Sequence, residues 1–173
     1  MIAVTDTGPC ISLRPATAAD RFMLRRWLSD PAVETHWGNS ASAEAEITLA
    51  MESPSAICRI VECDGRPIGY GHAVDASLWA QSLPPDLPAG CWDIDLVIGA
   101  TEYRARGIEQ PALTAIAAEV FATTLAVACC TFVSVKSEPL VRHYERAGFR
   151  WTRIWTDPVV GPSWLLMKER PAR

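Results

Sequence analysis

The dipeptide Asp64-Gly65 constrains this chain more than any other pair of residues. It lies between Ile57–Cys63 and Pro67–Val74, two runs rich in strand-forming residues. Asp-Gly accepts the positive φ angles of a type I′ turn, the turn whose twist suits a two-stranded hairpin. The middle of the chain is therefore committed to antiparallel sheet.

The flanks add helices on both sides of that hairpin. Ile11-Ser12-Leu13-Arg14 alternates like a half-buried strand and ends at Pro15. Thr17 and Asp20 resemble a capping box, and Phe22, Met23, Trp27 and Leu28 follow at helical spacing. A helix is predicted over 18–28, stopped by Asp30-Pro31, with a second over 43–52 capped by Ser40 or Ser42. Ser82 to Gly90 holds three prolines and reads as a loop over a site. Trp92 to Gly99 reads as a strand that places Asp93 and Asp95 on one face. A long helix over 110–124, a buried strand over 128–135 and a short helix over 140–147 follow. Strands over 150–155 and 163–167 complete a mixed sheet with helices on its faces.

Composition narrows the class. The 173 residues fit one domain, and 49% hydrophobic content suffices for a real core. A net charge of −4 argues against nucleic-acid binding, which needs basic patches, and suits a cationic small molecule better. No apolar run reaches the roughly 18 residues of a membrane span, and no basic, apolar leader opens the chain. The expectation is a cytoplasmic protein without membrane or nucleic-acid partners. The six cysteines lack paired metal-ligand spacing and His36, His72 and His143 are scattered, so reduced core thiols and no metal are expected.

The element order and three local segments resemble the GNAT acyltransferase superfamily over about residues 11–168. The segments are Arg14-Pro15 with a helix and then Trp37-Gly38, Tyr103-Arg-Ala-Arg-Gly107-Ile-Glu109 before a helix, and Tyr144-Glu-Arg-Ala-Gly-Phe149. The spacing of Trp37-Gly38, Gly69-Tyr70, Ile94-Asp95 and Tyr144 is most similar to the 6′-N-acetyltransferases acting on aminoglycosides. Acyltransferases of siderophore precursors look similar too. The resemblance implies an α/β (α+β) GNAT fold: one domain over 1–173, with residues 1–10 flexible and a central mixed, mostly antiparallel sheet flanked by helices. A monomer or homodimer is expected.

The resemblance also implies roles. Acetyl-CoA would be co-substrate and a primary amine of a small molecule the acceptor. Strand amides at Val97 and Ile98 would face the thioester. The loop Arg104, Ala105, Arg106, Gly107, Ile108 and Glu109 would cradle the diphosphate at a helix N-terminus. Glu109 departs from the family's Gly or Ala there, and its charge opposes a diphosphate. Ser137 stands where the family often has Asn and keeps a hydroxyl for the coenzyme. Asp95, twelve residues before Gly107, takes the general base's place, because an ammonium must lose a proton before it attacks. Tyr144 would protonate the departing thiolate. Glu34, Trp37, Trp92 and Asp93 would line the acceptor cleft with acids and aromatic walls. Polyamine or siderophore-type acceptors, and a non-catalytic binding protein disabled at Glu109, remain the alternatives.

Overall fold

The computed structural model describes residues 10–79, 82–158 and 161–172; the flexible start expected for residues 1–10 lies, but for Cys10, outside them. Strands β1 (Ile11–Pro15), β2 (Ile57–Cys63), β3 (Arg66–Asp75), β4 (Cys91–Ile98), β5 (Ala128–Ser134), β6 (Arg150–Asp157) and β7 (Gly161–Glu169) form one sheet. Its order is β1-β2-β3-β4-β5-β7-β6. Every neighbouring pair is antiparallel except β4 and β5, which are parallel. The hairpin forms as expected, with φ of 49° at Asp64 and 77° at Gly65.

A parallel pair needs a crossover, and α5 (Glu109–Thr123) supplies it between β4 and β5. Helix α6 (Glu138–Arg146) packs beside it. Leu113, Ile116 and Val120 of α5 meet Ala73, Ile94 and Cys129 of the sheet in one core. The opposite face carries α1 (Arg21–Leu28), α2 (Pro31–Trp37) and α3 (Ser40–Glu52). Leu24, Leu28, Val33 and Ile47 there cover Ile60, Tyr70 and Val97. Five of the six cysteines are buried and all six are free thiols.

The start of α1 is a 3-10 turn, Ala18–Asp20. The Asp20 carboxylate accepts the Thr17 N–H at 2.8 Å, as a capping acid does. Arg14 donates to both its oxygens, at 2.7 and 2.9 Å, and holds the carboxyl below the usual range. Asp30-Pro31 does more than stop α1. Asp30 accepts the Ala32 N–H at 2.9 Å and Pro31 occupies the first turn, so the pair opens α2, which the sequence reading missed. Helix α3 likewise begins earlier than expected, capped by Asn39 rather than a serine. A short helix, α4 (Ala76–Trp79), follows β3.

Candidate active site

Strand alternation turns Asp93, Asp95 and Val97 toward α1–α3, and Trp92, Ile94 and Leu96 toward α5. Strands β4 and β5 pair only at Cys91–Asp93 and Ala128–Cys130, then part. Beyond that point the open edge of β4 faces a gap, and two side chains use its carbonyls. The Tyr144 hydroxyl donates to Ile94 O at 3.3 Å, and the Trp37 indole N–H to Leu96 O at 3.2 Å. Val97 points its carbonyl the other way, toward β3, where a Cβ on Gly69 would lie 2.4 Å from it. Backbone alternation therefore gives the gap-facing amides to Leu96 and Ile98, which corrects the expectation for Val97.

Tyr144 reaches the gap from α6 and is buried beside Phe149, ring centroids 5.3 Å apart. Burial first, and then the charge of Asp95, push its phenol well above the ordinary value. It keeps its proton at neutral pH.

Asp95 stands on the other side of β4, across the register from His72. His72 Nε2 lies 3.6 Å from Asp95 Oδ2 and 3.8 Å from Glu46 Oε1 of α3. Trp37, Tyr70 and His72 meet edge to face, with centroids 5.7 to 6.4 Å apart. A cleft of about 320 Å³ opens here, lined by His36, Trp37, Glu46, Asp93, Asp95, Phe132, Trp155, Asp157 and Ser163, with Ser82 from the loop. An adjoining hollow of about 530 Å³ shares Glu46, Asp93 and Asp95 and adds His72 and Trp79. Among the described residues lining either space there is no lysine or arginine. Asp93 Oδ1 is sealed without a hydrogen-bond partner. Burial, then the charges of Asp95 and Glu46, hold the Asp93 carboxyl well above 3.8. Desolvation, then Asp95, also raise Glu46.

The structure brings Asp93, Asp95 and Trp37 together but separates two other expected residues from them. Trp92 falls on the α5 side of the sheet, half-buried against the core. Glu34 accepts the Ser40 N–H at 3.3 Å and helps begin α3. Glu46, His72, Phe132, Trp155, Asp157 and Ser163 escaped the sequence reading. Strand alternation from Tyr70 would have found His72; the rest come from distant chain segments that only the sheet order juxtaposes.

The loop before α5 divides its labour. Arg104 turns inward, donating to Ile98 O at 2.9 Å, Gly99 O at 2.7 Å and Asp30 at 2.9 Å, so it braces the end of β4. Ile108 is buried, whereas Ala105, Arg106 and Gly107 face solvent. Gly107 sits at φ 73° with nothing within 4 Å of a would-be Cβ, leaving room for a ligand near α5's first turn. Glu109 occupies that turn; its Oε2 is sealed without a hydrogen bond, 3.8 Å from His143 Nδ1 of α6. Ser137 is buried and hydrogen-bonded to His36 Nδ1 at 3.1 Å, tying α2 to the turn after β5.

Comparison with known proteins agrees with this architecture. Residues 16–156 match the model of the acetyltransferase (GNAT) domain. The chain is 26% identical, over 98% of its length and 88% of theirs, to aminoglycoside N(6′)-acetyltransferases type 1 of Klebsiella pneumoniae and Serratia marcescens. Its fold superposes with a TM-score of 0.83 on aminoglycoside acetyltransferase AAC(6′)-Ib in complex with coenzyme A, 23% identical, covering 93% of this chain and 95% of that one. The complex of that enzyme with coenzyme A and kanamycin gives 0.82 at 22% identity and the same coverage. With the parted strands, the glycine loop and most of its length matched, the chain belongs to the GNAT family of acetyltransferases.

Proposed function

We propose that this protein moves the acetyl group of acetyl-CoA to a primary amine of a polycationic, aminoglycoside-like molecule by direct attack. The observation that carries this reading is the cleft itself: the acids Glu46, Asp95 and Asp157 line it beside Trp37, Phe132 and Trp155. Carboxylates attract ammonium groups, and the aromatic faces suit a sugar ring carrying charge at its edge.

The residues present fit the coenzyme in two respects. The gap between β4 and β5 exposes amides toward a thioester, and Gly107 leaves open space before α5. Glu109 is the exception, since its carboxylate must turn away from a diphosphate at that end. Arg104 is fully engaged in bracing β4, which leaves Arg106 as the exposed cation of the loop.

Asp95 accepts the proton of the arriving ammonium, so that the free amine can attack. Gap-facing amides of Leu96 and Ile98 stabilise negative charge on the carbonyl oxygen as it develops. Tyr144, buried and protonated, donates its proton to the leaving sulfur. Asp95 is close enough to act electrostatically on the Tyr144 phenol across β4, so the two proton carriers serve one reaction centre from its two sides.

The test is a screen of kanamycin, other aminoglycosides, polyamines and N-hydroxylated amines with acetyl-CoA, reading free thiol and product mass. Calorimetry of coenzyme binding runs in parallel. An aminoglycoside gaining one acetyl group supports the proposal. Polyamine turnover alone replaces the acceptor class, and absence of both turnover and coenzyme binding leaves the non-catalytic reading.

A further inference from the structure

One buried group in the groove takes no part in either proton transfer. His72 is 2% exposed and sits on β3 directly across from Asp95. The rings of Trp37 and Tyr70 meet it edge-on, at 5.8 and 5.7 Å, and fix its plane. Its Nε2 faces two carboxylates, Asp95 at 3.6 Å and Glu46 at 3.8 Å. Its Nδ1 is sealed and has no hydrogen-bond partner.

These facts select a tautomer. A proton on Nδ1 would be buried with nothing to accept it, whereas a proton on Nε2 points at two acids. One N–H serves only one acceptor well, and the closer acid is Asp95 on the rigid sheet. Glu46 is on a helix and half exposed, so it is free to turn toward an incoming cation. The ligating atoms of Glu46, His72 and Asp95 also lie within 4.8 Å of one another, a spacing a divalent cation can bridge. A metal-bound histidine ordinarily donates its other N–H to an outer partner, and His72 has none.

We infer that His72 is a positioning residue for Asp95: its Nε2–H, 3.6 Å from Oδ2 and just beyond hydrogen-bond reach, draws that oxygen electrostatically and leaves Oδ1 to take the proton of the acceptor amine. This rests on the acetyl transfer proposed above. A base held in one orientation is worth more than the same carboxylate swinging about its χ angles, because the reacting atoms must align.

The experiment compares wild type with His72→Gln and His72→Leu, each first checked by thermal melting. Glutamine keeps an N–H of similar reach; leucine keeps bulk and loses the donor. His72→Leu should lower kcat by about 10- to 100-fold with little change in either KM, as misplacement of a reacting group does. His72→Gln should recover most of kcat. Equal losses in both variants, or a rise in acceptor KM with kcat intact, would overturn the inference. Nitrogen NMR of the His72 ring supplies a readout that needs no turnover, so it survives failure of the acetyl-transfer reading. A bare Nδ1 and a protonated Nε2 whose resonance moves in Asp95→Asn are expected. A ring protonated on Nδ1, or tight one-to-one zinc binding lost in His72→Gln, would contradict it.

Discussion

Single residues decide the chemistry here through their surroundings. Tyr144 is buried, with its phenol held well above the usual value by burial, and Asp95 faces the acid-lined groove on the opposite side of the same strand. The hydroxyl matters only while thiolate develops. Tyr144→Phe should therefore lower kcat and leave coenzyme affinity within about twofold, checked by steady-state kinetics beside calorimetry. Glu109 makes the opposite kind of prediction. Its sealed carboxylate at the start of α5 opposes a diphosphate, so Glu109→Gly should tighten coenzyme binding by about tenfold, the size of one weakly screened charge contact. Unchanged calorimetric affinity in that variant would mean the coenzyme avoids the helix end.

Secondary-structure elements hold these residues, and their ends are set by particular side chains. Arg170 shows how. Its guanidinium donates to Phe121 O at 2.6 Å, Thr124 O at 2.8 Å and Ala126 O at 2.6 Å, closing the C-terminal end of α5 with a cation. Arg170→Leu should destabilise the protein by about 2 to 3 kcal/mol in urea unfolding, the usual worth of hydrogen bonds to a charged group. A change below about 0.5 kcal/mol would contradict that role, being the scale of ordinary surface substitutions. Most elements were legible before the structure, because Asp64-Gly65, the alternation of Trp92 to Ile98 and the helical spacing of Phe22, Met23, Trp27 and Leu28 are local signals. Asp30-Pro31 was not, since the same pair can end one helix and begin the next. The cleft was half legible. Asp93 and Asp95 share a face by strand period alone, yet Trp92 was misplaced because alternation puts it on the side of Ile94, half-buried against the core. Trp155, Phe132 and Glu46 depend on which strands and helices the sheet brings together, which no local pattern states.

At the scale of the whole molecule, the groove's acids cost stability that function can recover. The Asp93 carboxyl titrates above 3.8 in the folded protein, chiefly through burial and then through Asp95 and Glu46. A raised native value means the folded state keeps a proton that the unfolded chain has released. Its stabilising contribution is complete below 3.8 and is lost as pH rises through the native value. Asp93→Asn should accordingly melt above wild type at neutral pH, and the difference should shrink as pH falls toward 4. Parallel melting curves across that range would contradict a buried, protonated Asp93. The Asp20 carboxyl, lowered by Arg14, works with the opposite sign, its contribution disappearing only as pH falls below 3.8.

The claim on which the mechanism turns is that Asp95 takes the proton from the acceptor's ammonium, and kinetics of Asp95→Asn test it most directly. The asparagine keeps size and polarity but cannot accept that proton. With acetyl-CoA and an acceptor that the wild-type protein acetylates, kcat should fall by about 10²- to 10⁴-fold. If kcat instead stays near wild type while the acceptor's KM rises, Asp95 only anchors a cation and the base lies elsewhere.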